Sequence, residues 1–310
     1  MSINIQWFPG HMHKAAKEVK EALPATHIFI EILDARIPFS SQNPMLADIR
    51  KDKPCIKVLN KSDLADPEST AIWQEYLERE QGVKTLVMSS VEHPERIKLL
   101  PDICRQMLPD KDQSIKNINA MIMGIPNVGK STIINTWSGR TIAKTGNEPA
   151  VTKTQQRINL DNGIVLFDTP GMLWPNLENR NSGYRLGTTG AIKDTAIEYE
   201  DVAFFAADYL LKAYPDRLKQ RYKLDTLPAT ELEFLETIGR QRGCLSKGGH
   251  IDLNRISKIL LTELRDGLLG GITLELPAMM EEELIELEVI RAAKAEKLKA
   301  RLQNRKKRKR

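Results

Sequence analysis

The sequence predicts an α/β domain built on a parallel sheet, followed by an all-helical region and a basic tail. Five apolar runs of strand length, His27 to Leu33, Pro54 to Leu59, Val83 to Met88, Asn119 to Gly124 and Gly163 to Phe167, alternate with helical stretches such as Pro67 to Gln81 and Glu95 to Met107. That alternation is the signature of a doubly wound sheet. Beyond residue 185 the strand runs stop. Thr188 to Ala196, Tyr199 to Ala213, Thr230 to Arg240 and Leu253 to Gly267 read as helices separated by Pro215, Pro228 and the Gly248-Gly249 turn. Polar or glycine-containing segments follow several of the apolar runs, where an open α/β sheet places its ligand loops. The expected division is 1–184 for the sheet domain, 185–276 for the helical region and 277–310 for a charged helix and tail.

The fourth apolar run leads into Gly124-Ile125-Pro126-Asn127-Val128-Gly129-Lys130-Ser131, which fits G-x-x-x-x-G-K-[ST], and a helical pattern follows from Lys130. Strand before and helix after are the context this motif needs. Its glycines let the backbone N–H groups from Asn127 to Thr132 close around phosphate oxygens, Lys130 supplies charge to the β- and γ-phosphates, and Ser131 can ligate Mg²⁺. The fifth run ends in Asp168-Thr169-Pro170-Gly171. Asp168 is expected to hold Mg²⁺, and the Gly171 N–H to sense a γ-phosphate. Thr152, between the phosphate loop and Asp168, is the candidate switch threonine that completes Mg²⁺ coordination.

Phosphate binding does not choose between purines; Asn60-Lys61-Ser62-Asp63 does. Asp63 can accept from guanine N1–H and the 2-amino group, and the Lys61 stem can lie over the ring. Asn60 can either bond the O6/N7 side of the purine or brace the phosphate loop. Adenine would leave a buried carboxylate unpaired. Ser89-Ser90, after the third run, is either a second base-contacting loop or a plain turn. The base reader precedes the phosphate loop, the reverse of the usual order. Together these segments imply a GTP site with Mg²⁺, built by a circularly permuted P-loop GTPase domain.

Charge is segregated. Of 310 residues, 28% are charged and 41% apolar, and the net charge is +5. Residues 291 to 310 hold eleven Lys or Arg against Glu296 alone, a local +10, which leaves residues 1 to 290 at −5. Such a terminus is either an arm for a polyanion, with RNA the natural one, or a solvated end that adds solubility. Ala278 to Lys299 is expected to form a helix with a thin apolar stripe. Cys55, Cys104 and Cys244 show no ligand spacing and point to a reducing compartment. No run reaches the length of a membrane span, and residues 1 to 20 do not read as a signal peptide, so a cytoplasmic protein without membrane partners is expected.

Beyond the GTPase segments, the chain carries Gln6-Trp7-Phe8-Pro9-Gly10-His11-Met12, Asp34-Ala35-Arg36-Ile37-Pro38, Arg242-Gly243-Cys244 and Gly248-Gly249. With the motifs above, these resemble the YlqF/RbgA family of circularly permuted GTPases, and the chain departs from that pattern at Pro149-Ala150, where the family usually has Pro-Gly. The resemblance implies a GTP-hydrolysing switch acting in late assembly of the large ribosomal subunit, with precursor particles and their rRNA as partners and no DNA. It implies that His11 assists hydrolysis, whereas composition alone would make His11 a surface or capping residue. The usual water-orienting Gln is replaced by Met172, an apolar side chain that cannot do that work. Resemblance to potassium-activated GTPases implies a K⁺ ion at Asn127, against a plain loop-stabilising role. Three other readings stay open: a nucleotide-gated RNA-binding module with negligible turnover, a tail-driven RNA-binding scaffold, and an assembly GTPase for the small subunit.

Overall fold

The computed structural model describes residues 17–108, 117–143, 156–160, 162–173 and 177–307. Its centre is a six-stranded sheet of β1 (Ile28–Asp34), β2 (Cys55–Asn60), β3 (Val83–Val87), β4 (Ile118–Gly124), β5 (Gln156–Asn159) and β6 (Ile164–Asp168), ordered β3-β2-β1-β4-β6-β5. The five strands expected from the apolar runs are parallel. The sixth, β5, pairs antiparallel with β6 at the edge, so the sheet is mixed rather than wholly parallel. Three of the four β5 residues are exposed and only Ile158 is buried. A short polar edge strand carries almost no hydrophobic signal.

Alternation along the strands divides the core between two faces. On one, Ile30, Val58 and Ile122 pack with α4 (Leu100–Gln106) and α5 (Lys130–Ser138). On the other, Phe29, Cys55 and Met121 meet Val19 of α1 (residues 17–22) and Ile49 of α2 (Pro44–Arg50). There too, Leu33 and Leu59 cover Trp73 and Leu77 of α3 (Pro67–Glu78). Asp66 caps α3 by accepting from the Ser69 N–H, with Pro67 at the first helical position.

Helices dominate the described residues from Arg180 onward: α6 (Arg180–Thr189), α7 (Tyr199–Ala213), α8 (Pro215–Tyr222), α9 (Glu231–Gln241), α10 (Leu253–Arg265) and α11 (Pro277–Lys307). Two expectations need correcting. The helix anticipated at Thr188 to Ala196 starts earlier, at Arg180, and stops at Gly190, whose φ of +79° terminates it. Pro215 opens α8 instead of merely separating helices, because proline lacks only a donor that the first turn leaves unused. The anticipated helix Ala278 to Lys299 is α11, which continues through much of the basic run.

Candidate nucleotide site

Strands β1, β2 and β3 succeed one another toward one edge of the sheet, and β4, β6 and β5 lie toward the other, so the connection order reverses between the adjacent strands β1 and β4. Ligands bind open α/β sheets at the carboxyl ends beside such a switch point. Every expected segment among the described residues lies at a carboxyl end there: Asp34 at the end of β1, Asn60 to Asp63 at the end of β2, Ser89-Ser90 after β3, the phosphate loop at the end of β4 and Asp168 to Gly171 at the end of β6.

The phosphate loop turns through Asn127 at φ +62° and Gly129 at φ +89°, and α5 begins at Lys130. Val128 is buried, and Ser131 and Thr132 are half-buried in the first turn of α5. Asn60 resolves its two alternatives in favour of bracing. Its Nδ2 donates to the Val128 carbonyl at 2.7 Å, and its Oδ1 accepts from the Ser90 N–H at 3.0 Å. One side chain thus ties the base-reading loop to the phosphate loop and to the turn after β3. Ser89 Oγ accepts from the N–H groups of Val91 and Glu92, holding that turn closed.

Lys61 occupies the left-handed region, φ 60°, and starts the short turn Ser62–Leu64 that carries Asp63 half-exposed. The Ser62 N–H donates to the Met88 carbonyl. Lys61 Nζ lies 3.1 Å from Asp34 Oδ2. Burial pulls the Lys61 ammonium below its ordinary value, although Asp34 works against the shift. Burial alone would raise the Asp34 carboxyl, but Arg36 and Lys61 beside it hold it well below the usual carboxylate range.

On the phosphate side, Lys130 Nζ pairs with Asp168 Oδ1. Asp168 Oδ2 is buried with no hydrogen-bond partner among the described residues. Burial pushes the Asp168 carboxyl up, and Lys130 offsets part of that. A carboxylate with one oxygen unpaired, beside the Lys and Ser of a phosphate loop, is the donor set that a Mg²⁺–nucleotide complex satisfies. Gly171 lies so close to the loop that a Cβ there would sit 3.2 Å from the Pro126 backbone, and the Met172 N–H donates to the Gly124 carbonyl. Met172 is buried among Phe29, Met121 and Met123. The position that commonly orients water is here part of the core.

Asn127 Nδ2 donates to the Gly190 carbonyl at the end of α6, at 2.7 Å, so the phosphate loop touches the helical region directly. His11 and Thr152 lie outside the described residues, as do the Trp7 to Met12 segment and Pro149-Ala150. Gly190, at the end of α6, belongs to no nucleotide-binding motif and enters the neighbourhood through long-range packing.

Comparison with known proteins follows the same lines. A family model described as "50S ribosome-binding GTPase" matches residues 119–237. The ribosome biogenesis GTPase A of Priestia megaterium is 43% identical over 91% of this chain and 100% of its own length. The chain belongs to the ribosome biogenesis GTPase A family. A more distant relative of the same name, from Thermotoga maritima, is 30% identical over 88% of this chain and 95% of its own. Among solved structures, GNP-bound YlqF from T. maritima matches with a TM-score of 0.57 at 28% identity, over 85% of this chain and 98% of that one. GDP-bound TM YlqF gives 0.59 at 28% identity over 84% and 99%. The chain therefore shares its fold with these YlqF structures and spans essentially the whole length of these relatives.

Proposed function

We propose that the chain is a GTP-binding and GTP-hydrolysing switch that acts in late assembly of the large ribosomal subunit, in the cytoplasm, with the precursor particle and its rRNA as partners. The observation that carries the reading is the joint made by Asn60, which binds the base-reading loop to the phosphate loop at Val128 while Lys130 joins that loop to Asp168. One nucleotide can then be read at both ends by a single connected unit. Lys130 and the N–H groups of the loop would hold the phosphates, and Asp63 the guanine edge. Ser131, Asp168 and Thr152 would hold Mg²⁺, which when bound offsets the charge on the β- and γ-phosphates.

Met172 is buried, so the group that orients water must come from elsewhere, and His11 is that group in this reading. Unassisted turnover is expected at about 10⁻⁴ to 10⁻² per second. The division of labour follows residues 1–184, 185–276 and 277–310, with α6 crossing the first boundary and the basic end of α11 supplying a salt-sensitive attraction to rRNA.

GTP turnover by the purified chain, alone and with isolated small or large subunits, tests this. Stimulation by the large subunit alone, lost in His11→Ala while GTP affinity persists, is expected. Stimulation by the small subunit would reassign the particle. No stimulation by either would leave a nucleotide-gated RNA-binding module. The same assay with sodium replacing potassium tests the K⁺ expectation at Asn127.

A further inference from the structure

A buried ion pair stands between the base-reading loop and the helical region, and the nucleotide chemistry above leaves it without a role. Asp34 ends β1 in register with Asn60 of β2. Its carboxylate accepts from Arg36 Nε at 2.9 Å, Arg36 Nη2 at 2.8 Å and the Arg36 N–H at 3.1 Å, and Oδ2 also accepts from Lys61 Nζ. Arg36 reaches onward, donating through Nη2 to the Thr189 carbonyl at 3.5 Å, while its own carbonyl accepts from the Leu274 N–H at 2.8 Å. The two side chains are only 2% and 4% exposed, and Arg36 Nη1 is buried with no hydrogen-bond partner among the described residues.

Stability is a poor reason for such a pair. Taking two charges out of water costs about what their attraction returns, and well-packed apolar residues often serve as well or better. What the pair does accomplish is to hold a third group. A lysine side chain is a flexible four-carbon stem that loses much of its rotamer entropy when fixed. Here the Lys61 ammonium is tied to Asp34, and Asp34 is gripped on its other side by a bidentate guanidinium, so the stem is set before any ligand arrives. Preorganisation of this kind lowers the cost of binding.

We propose that Asp34 is a positioning residue for guanine recognition, anchoring Lys61 so that its stem is set for the purine ring, with Arg36 holding the carboxylate in place. The assignment rests on the reading of Asn60 to Asp63 as the base site. Because Arg36 is itself held by the end of α6 and by Leu274, the seating of the helical region supports the base-reading loop.

The test is GDP and GTP affinity of the full chain, measured by titration with fluorescent nucleotides for K61M, D34N, their double variant, D34N/R36M and D63N. Asp34→Asn and Lys61→Met should each weaken GDP by about tenfold, the worth of one charge-assisted hydrogen bond. The double variant should bind no more weakly than Lys61→Met alone, because the Asp34 effect runs through Lys61. The ratio of GTP to GDP affinity should stay unchanged, since the loss is confined to the base. D34N/R36M removes both members of the buried pair and leaves only Lys61, whose side chain is 22% exposed, without its counter-charge, so it should show the same loss of affinity with a thermal midpoint lowered less than in Asp34→Asn alone, which strands the more deeply buried Arg36.

Unchanged affinity in Asp34→Asn and D34N/R36M, or losses that multiply in the double variant with Lys61→Met, would overturn the proposal. Asp63→Asn reports separately on the base site, because an amide offers a donor where the carboxylate accepted and should turn preference toward xanthine nucleotides. If Asp63→Asn keeps guanine preference, the base-site reading fails and the proposal with it. If preference switches while Asp34→Asn stays silent, the proposal alone is wrong.

Discussion

Gly129 shows at the scale of one residue how closely the two nucleotide loops fit. Its φ of +89° excludes most side chains, and a Cβ there would lie 2.3 Å from Asn60 Nδ2. Gly129→Ala must push Asn60 off the Val128 carbonyl or deform the loop. It should cost about 2 kcal/mol of stability and at least about tenfold in nucleotide affinity, read by thermal unfolding and nucleotide titration. The phosphate loop was legible from its glycines and lysine because that chemistry is local. The choice between the two roles of Asn60 was not, because it depends on a contact 68 residues away in sequence. Met172 was legible as the absence of a polar group, and the structure adds that its side chain is committed to the core among Phe29 and Met121.

At the scale of elements, the segment between α10 and α11 acts as a strap over the base-reading loop. A Cβ on Gly271 would meet the Ala65 carbonyl at 2.3 Å, so glycine permits this close approach. The Ile272 N–H donates to the Leu64 carbonyl at 2.9 Å, and Thr273 Oγ1 accepts from the Asp66 N–H at 3.1 Å. The strap ends in Glu275, a fully buried carboxylate that accepts from the N–H groups of Phe39 and Ser40 and from Ser40 Oγ. Burial raises its carboxyl, with Arg185 and these donors working the other way. Glu275→Ala would leave three donors without their acceptor and should destabilise the protein by about 3 kcal/mol in denaturant unfolding. Glu275→Gln, which keeps one acceptor oxygen, should cost less. No sequence signal marks this segment, since an irregular run earns its place through hydrogen bonds to loops more than 200 residues away.

At the scale of the whole molecule, permutation sends the chain from Gly171 toward α6 rather than into another strand, so the segment that follows β6 leads into the helical region. That region is clamped to the GTPase sheet at Asn127, Arg36 and the strap. Its longest element, α11, is fastened near its start by Glu283, which accepts from Arg185 at 2.6 and 3.0 Å, Asn179 at 2.7 Å and Asn181 at 3.0 Å. Farther along, Ile285 and Val289 are each 65% exposed. Burial alone would raise the Glu283 carboxyl, but Arg185 and the two amides hold it below its ordinary value of 4.5. A depressed carboxyl stabilises the docked helix above its unfolded pKa and loses that contribution as pH falls through the folded one. Hydrogen exchange in α11 should therefore accelerate as pH drops below about 4.5, after correction for the intrinsic rate. Glu283→Gln should be less protected near neutral pH and should show a weaker acid dependence.

The sequence by itself determined the five parallel strands, the order of the GTPase segments, most of the helices and the segregation of positive charge to the end of the chain. These rest on local periodicity and on motifs whose chemistry is carried by neighbouring residues. The antiparallel edge strand, the true start of α6, the brace at Asn60, the strap and the Asp34–Arg36–Lys61 relay were decided by tertiary structure. Each depends on which distant groups meet across the carboxyl ends of the sheet. A polar residue's partner is chosen by three-dimensional packing, and its nearest neighbours in sequence carry little trace of that choice.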